Sequence, residues 1–265
     1  MKLRTLHLFF ALALLVPWSA SAVEVTALEG PAHGFPAMLD LNGKKLADGE
    51  FTQELEDGRL SVTLKYKFKG GRTEEKAVFR QKDELIQEEW SWKETKGGDL
   101  QREFSIDFKA QTATAKKRED GEMKTWTEKI EIQPGRTFGG YGFVLAVQNL
   151  RSRLVKGEQI ELEAVGFTPK PKTVTVEISH AGTDRMKMSD RVLTGDRFLV
   201  HPKIPAIAKL FITVPDTQIW LTKPPAEFLR FEGPFAEPSD PLIRVDLFSG
   251  AESGPAKPVK GDDDE

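Results

Sequence analysis

The stretch from Leu60 to Phe68, LSVTLKYKF, decides the fold class of this chain. Apolar side chains occupy every second position in it, and serine, threonine and lysine fill the positions between them. Successive side chains of a β-strand point to opposite faces, so this period of two predicts a strand with one buried and one solvated face. Such strands are typical of antiparallel sheets that carry the core on one side.

The same alternation recurs downstream. It is found in three further runs, at Trp90 and Trp92, at Phe104, Ile106 and Phe108, and more loosely at Trp126, Ile130 and Ile132. The runs are separated by four two-residue segments that contain glycine: Asp57-Gly58, Gly70-Gly71, Gly97-Gly98 and Asp120-Gly121. Glycine readily takes the positive φ of tight hairpin turns, so residues 51–133 are predicted to form an antiparallel meander.

The hydrophobic period changes after residue 140. Apolar residues from Phe143 to Leu154 are spaced four, three and four positions apart, which marks one face of a helix. We therefore predict one amphipathic helix from Tyr141 to Leu154, and Gly157 is a natural stop for it. Strand-like alternation resumes after the helix, where Gly182 and Gly195 are expected to mark further hairpins.

These elements predict a mainly β protein. One-sided strands must hide their apolar faces, either by closing into a barrel or by curling around another element. The expected architecture is a curved antiparallel meander or partly open β-barrel, with the helix at 141–154 against its concave face. Residues 23–248 are interpreted as a single β-rich domain and 249–265 as a disordered acidic tail. Two β subdomains meeting near residue 157 are the alternative.

The first 22 residues have the pattern of a secretory signal peptide. Lys2 and Arg4 precede an apolar run at 8–16, and the small residues Ala20-Ser21-Ala22 follow it. The run is too short to span a membrane, which takes about 20 residues, and no later stretch is apolar enough. We expect cleavage after Ala22 and a periplasmic or extracellular location.

The amino-acid composition excludes several kinds of site and argues against one class of partner. The chain has no cysteine, which excludes disulfides, a thiol nucleophile and the lipid-carrying cysteine of bacterial lipoproteins. A formal net charge of −3 argues against nucleic acid as a partner.

The chain resembles exported bacterial β-rich proteins of unknown function. Three features carry this resemblance: the segment at 1–22, the meander with glycine turns, and the Gly139–Phe143 stretch before the helix. At the level of architecture the chain is similar to the half-barrel lipid and lipoprotein carriers of the Gram-negative periplasm, a resemblance that implies no particular functional residue.

Catalytic and metal-binding patterns are missing from the sequence. The histidines have no metal-site spacing, and the chain lacks a Gly-x-Ser-x-Gly elbow and a phosphate-binding loop. We therefore predict no catalytic residue, no metal site and no cofactor. Glu88 and Glu89, beside Trp90 and Trp92, keep a polysaccharide-active enzyme open as an alternative, although core packing is the preferred interpretation of both tryptophans.

The preferred functional hypothesis is a non-enzymatic binding protein. A curved sheet with a helix over it can leave an apolar cleft for a hydrophobic ligand such as a lipid, or for an envelope protein. The predicted lining residues are Trp90, Trp92, Phe104, Ile106, Phe108, Trp126, Tyr141 and Phe143. The same residues could instead fill the core of a structural or interaction domain, and the sequence leaves that choice and the oligomeric state open.

Overall fold

The computed structural model describes residues 21–188, 191–204, 214–224 and 227–247. The predicted tail at 249–265 lies outside the described residues, as does nearly all of the predicted signal peptide.

The described elements are sixteen strands and one helix. Ten strands precede the helix: β1 (Ala32–Gly34), β2 (Ala37–Asp40), β3 (Lys45–Glu56), β4 (Arg59–Phe68), β5 (Gly71–Gln81), β6 (Leu85–Lys96), β7 (Asp99–Asp107), β8 (Thr112–Glu119), β9 (Glu122–Lys129) and β10 (Thr137–Phe138). The helix is α1 (Gly142–Leu154). Six strands follow it: β11 (Ile160–Thr168), β12 (Lys170–Met188), β13 (Arg191–Pro202), β14 (Thr217–Thr222), β15 (Phe228–Pro234) and β16 (Leu242–Asp246).

The strands form one sheet in the order β10 to β16 followed by β2 to β9, and β1 pairs with β3 beside this path. The sheet thus consists of two meanders, one formed by β2 to β9 and the other by β11 to β16. They join where β16 pairs antiparallel with β2, with Val245 opposite Met38. The pairing of β10 with β11 is parallel, and the other pairings are antiparallel. The described edge strands β9 and β10 are not paired with each other, so the sheet is curved and open. The predicted fold class is confirmed.

All four glycine-containing segments predicted as hairpin turns lie where consecutive paired strands connect, and Gly71 is itself the first residue of β5. Asp57 and Gly58 have φ of 49° and 75°, and Asp120 and Gly121 have 52° and 85°, the left-handed geometry of tight hairpin turns. Two further turns, at 82–84 and 108–111, carry no glycine, and Gln111 takes a positive φ of 52°. Those two turns had no recognisable signal in the sequence.

The hairpins expected at Gly182 and Gly195 were wrong predictions. Gly182 lies inside β12 at a register shift, where its φ of 115° accommodates a β-bulge. Gly195 lies inside β13, and a Cβ there would come within 2.7 Å of Leu229 Cδ1. Both glycines therefore serve local geometry within long strands: one allows a bulge and the other a close side-chain approach.

Helix α1 is confirmed within one residue of its predicted start. Its burial is more complete than the predicted single apolar face, because the four consecutive residues from Val144 to Val147 are all buried. Leu145 is 0% exposed and belongs to the largest apolar cluster, to which strands of both meanders contribute. The curved sheet therefore surrounds most of the helix.

The segment at 21–29 passes beside the helix and is fixed to it. The backbone N–H groups of Thr26 and Ala27 donate to Asn149 Oδ1 at 2.7 and 3.0 Å. Val23 is fully buried, its N–H donates to the carbonyl of Gly135 at 2.9 Å, and its own carbonyl accepts from Leu85. Val23, the residue predicted to follow the cleavage site, is thus part of the core.

Candidate functional site

A cavity of about 510 Å³ lies between the first turns of α1 and strands of both meanders. This volume falls within the range of roughly 300–1,000 Å³ typical of small-molecule sites. Eleven of the described residues that line it are aromatic: Phe51, Tyr66, Trp90, Trp92, Phe104, Tyr141, Phe143, Phe167, Phe228, Phe231 and Phe235. The concave face of the sheet is therefore hollow at this end of the helix.

The eight predicted lining residues divide into two groups. The structure brings five of them to the cavity wall: Trp90, Trp92, Phe104, Tyr141 and Phe143. Ile106 and Phe108 are buried in the apolar cluster next to it, and Trp126 packs against the edge of that cluster. None of the three lines the cavity, and Ile106 and Phe108 instead line a second concavity.

Four aromatic contacts form a continuous row along the cavity, hereafter the aromatic row. Trp90 stacks on Phe167 with 5.7 Å between ring centroids, and Phe167 stacks on Phe104 at 4.8 Å. Phe104 then stacks on Trp92 at 5.5 Å, and Trp92 meets the edge of Phe235 at 5.6 Å. Since β11 contributes Phe167 between side chains of β6 and β7, the row joins the two ends of the sheet.

Arg102 covers the far end of the aromatic row. Its guanidinium lies 5.3 Å from the Trp92 ring centroid and 5.7 Å from that of Phe235, within reach of cation–π attraction. Its charge is already balanced, because it donates to Glu237 at 2.9 Å and to Asp240 at 2.7 Å. Arg102 therefore closes the row and brings no free positive charge to the cavity.

Glu75 lies at the opposite end of the row, on the inward face of β5. Alternation along the strand places it with three inward-facing neighbours: Thr73, Ala77 and Phe79. Sequence analysis did not select Glu75, although its position provides a signal. A glutamate that shares a strand face with apolar residues is unusual, because burying a carboxylate is costly unless it is hydrogen-bonded.

One oxygen of Glu75 accepts two hydrogen bonds. The indole N–H of Trp90 donates to Oε1 at 2.8 Å, and the backbone N–H of Tyr141 donates to it at 2.7 Å. The second oxygen, Oε2, accepts none from the described residues. Burial raises the pKa of the Glu75 carboxyl, and the two hydrogen bonds oppose that rise.

The glycines before α1 allow this contact. Gly140 has a positive φ of 49°, and a Cβ there would overlap both Glu75 Oε1 and Trp90 Nε1. Gly139 exchanges hydrogen bonds with the Gln87 amide, donating at 2.8 Å and accepting at 3.2 Å. A Cβ on Gly142 would lie 2.5 Å from the oxygen of that amide. The stretch Gly139-Gly140-Tyr141-Gly142 thus docks the start of the helix on two polar side chains of the sheet, the half-buried Glu75 and the buried Gln87.

Two more polar groups of the cavity wall lack partners. Tyr66 is 5% exposed, and its hydroxyl has no hydrogen-bond partner among the described residues. Gln53 is 3% exposed, and its Oε1 is likewise unpartnered there. Burial, followed by the nearby charge of Glu75, raises the pKa of Tyr66 well above its ordinary value. Buried polar atoms without partners are uncommon in native proteins, so each requires an explanation.

Glu29 provides a second carboxylate on the wall. Its two oxygens accept from the side-chain amides of Gln53 and Gln148, each at 3.2 Å. Burial, and after it the charges of Glu29 and Glu75, raise the pKa of Tyr141. Among the described lining residues there are three glutamates, Glu29, Glu75 and Glu227, but no lysine or arginine. The cavity is therefore apolar, rich in hydrogen-bond acceptors and negative.

The other polar candidates lie elsewhere. Glu88 forms an ion pair with Arg59 at 2.7 Å and lies 3.6 Å from Arg80. It lines the second concavity, of about 670 Å³, whose wall also carries the charged side chains of Lys76 and Lys109. No group of three side chains suited to a metal ion occurs within the described residues.

Comparison with protein-family models, with curated proteins and with solved structures gave no match. The architectural resemblance to half-barrel carriers therefore stays a prediction. In the part of the chain that the structure describes, no helix has the length and apolar character needed to cross a membrane.

Proposed function

We propose that this protein is an exported, non-enzymatic binding protein that holds an apolar small molecule in the cavity beside α1. Export is proposed from the sequence of residues 1–22 alone. The observation that carries the binding function is the 510 Å³ cavity with its aromatic row, enclosed between the sheet and the helix.

The hollow itself supports binding over a purely structural role. Protein interiors are close-packed, and an empty space forfeits the contacts that side chains would otherwise make. Eleven aromatic rings line this hollow, and a bound apolar ligand would remove their exposed surface from water. The polar groups on the wall fit the same interpretation, since ligand sites combine apolar linings with a few polar groups.

Titration with the neutral apolar dye N-phenyl-1-naphthylamine tests the proposal. We expect saturable fluorescence enhancement with a Kd in the micromolar range, about −8 kcal/mol. The informative variant is Val165→Phe, because Val165 is a half-buried residue of the cavity wall. The added ring should occupy part of the cavity and weaken dye binding about tenfold or more.

The matched control is Val192→Phe, which makes the same substitution at a residue that is 56% exposed and does not line the cavity. Circular dichroism should show that all three proteins are folded. If the wild-type protein does not bind the dye, or if both variants bind it as the wild type does, the cavity is not a binding site.

A further inference from the structure

We infer that the ligand of this cavity is an amphipathic organic cation, with an ammonium head group at Glu75 and an apolar body along the aromatic row. This inference rests on the proposed binding function and specifies the chemical class of the ligand.

Charge balance is the first argument. Three glutamates line the cavity, and the described lining residues include no lysine or arginine to neutralise them. Within the described part of the wall, His33 is the one basic residue, and it is exposed and lies 3.4 Å from Glu50. A fatty acid would place its carboxylate in this negative environment without a cationic partner, which is unfavourable. The negative charge of these glutamates attracts a cation.

Hydrogen-bonding capacity is the second argument. Glu75 Oε2 accepts nothing from the described residues, while its Oε1 is already fixed by Trp90 and Tyr141. Gln53 Oε1 and the Tyr66 hydroxyl also belong to the cavity wall, are buried, and find no hydrogen-bond partner in the described part of the chain. These groups can all act as acceptors, and a primary ammonium offers three donors and no acceptor. The cavity therefore lacks what an ammonium head would supply.

The arrangement of rings is the third argument. Trp90 both donates to Glu75 and begins the aromatic row. A cation held at this carboxylate therefore lies next to the first ring of the row. The row then continues through Phe167 and Phe104 to Trp92, which provides an apolar path away from the charge.

Competition for the bound dye tests the inference with three ligands of equal chain length: dodecylamine, dodecanol and dodecanoate, each below its aggregation concentration. We expect dodecylamine to displace N-phenyl-1-naphthylamine at a concentration about tenfold or more below that of dodecanoate, with dodecanol between them. Glu75→Gln should remove most of the preference for the amine, measured on the variant itself as the ratio of the dodecanoate and dodecylamine concentrations that displace the dye, because the amide carries no negative charge.

The matched control is Glu227→Gln, which removes an exposed carboxylate at the rim. It should change the preference less than Glu75→Gln does, because water screens exposed charges. Equal displacement by all three ligands, or tighter binding of dodecanoate, would overturn the inference while the proposed binding function stands. Failure of the wild-type protein to bind the dye would instead refute the proposed function.

Discussion

The indole N–H of Trp90 donates a hydrogen bond of 2.8 Å to Oε1 of Glu75, which joins the aromatic row of the cavity to its buried carboxylate. The same oxygen accepts from the backbone of Tyr141, at the start of α1. One glutamate on β5 therefore positions a cavity-lining ring on β6 and the first turn of the helix. Substitutions around this contact should affect both the stability of the fold and the shape of the cavity.

Gly140→Ala should destabilise the protein strongly. The added methyl group would overlap Glu75 Oε1 and Trp90 Nε1, and the backbone φ of 49° is itself unfavourable for alanine. We expect the free energy of unfolding to fall by about 2–4 kcal/mol, measured by urea denaturation. Gly58→Ala is the control, because Gly58 also has a positive φ but has nothing within 4 Å of an added Cβ. Its cost should be limited to about 1–2 kcal/mol of backbone strain. Equal losses would show that the contact with Glu75 does not matter.

Glu75→Gln should change how stability depends on pH. The folded pKa of Glu75 is raised above its ordinary value of 4.5, so the folded state holds this proton more tightly than the unfolded state does. The free energy of unfolding of the wild-type protein therefore falls as pH rises from the unfolded pKa through the raised pKa. Glutamine cannot ionise, so the variant should gain stability relative to wild type between pH 4 and pH 8.

Thermal denaturation of wild type and variant across this pH range measures the effect. Glu54→Gln is the control, because Glu54 is an exposed residue of β3, two strands away from β5 in the sheet. The stability of the Glu54→Gln variant should vary with pH as that of the wild-type protein does. A difference between wild type and Glu75→Gln that is constant with pH would contradict the assignment of Glu75 as a buried titrating group.

Leu145→Ala tests whether the sheet surrounds the helix. Leu145 is 0% exposed and lies outside the face predicted from the apolar spacing of α1. If the helix is enclosed, the substitution should cost about 2–5 kcal/mol in urea denaturation. Leu28→Ala, at a residue that is 76% exposed, should cost less than about 0.5 kcal/mol. Similar small costs would place the helix on the surface.

Expression in a Gram-negative host tests the predicted signal peptide. Intact-mass measurement of the periplasmic protein should give a chain that starts at Val23. Ala20→Phe should block or reduce processing, because the cleavage motif requires small residues. Ala27→Phe, placed after the predicted site, should leave the mature start unchanged. A full-length chain that begins at Met1 and stays in the cytoplasm would contradict export.

Local patterns predicted the fold class and part of the site. Alternation in Leu60–Phe68 and the four glycine-containing segments anticipated the antiparallel meander, because strand period and turn chemistry are encoded within a few residues. Those patterns carried no information on the pairing of β16 with β2, which joins residues more than 200 positions apart.

Site residues were missed for the same reason: local sequence patterns do not show which distant segments come into contact. Trp90, Trp92 and Phe104 were predicted from strand alternation, and they do line the cavity. Phe167 meets them only because β11 folds back over β6 and β7, and Phe235 reaches them from the segment after β15. Glu75 could have been noticed as a charged residue on an inward strand face, but its role depends on contact with the distant Tyr141 backbone.

Native mass spectrometry of the protein, isolated without denaturation from the cells that produce it, is the decisive test of binding in the cavity. We expect a fraction of the wild-type protein to carry additional mass, which is lost on denaturation and reduced in Val165→Phe but not in Val192→Phe. A wild-type mass equal to that of the polypeptide alone, together with no uptake of added apolar ligands, would contradict the claim that the cavity is a binding site.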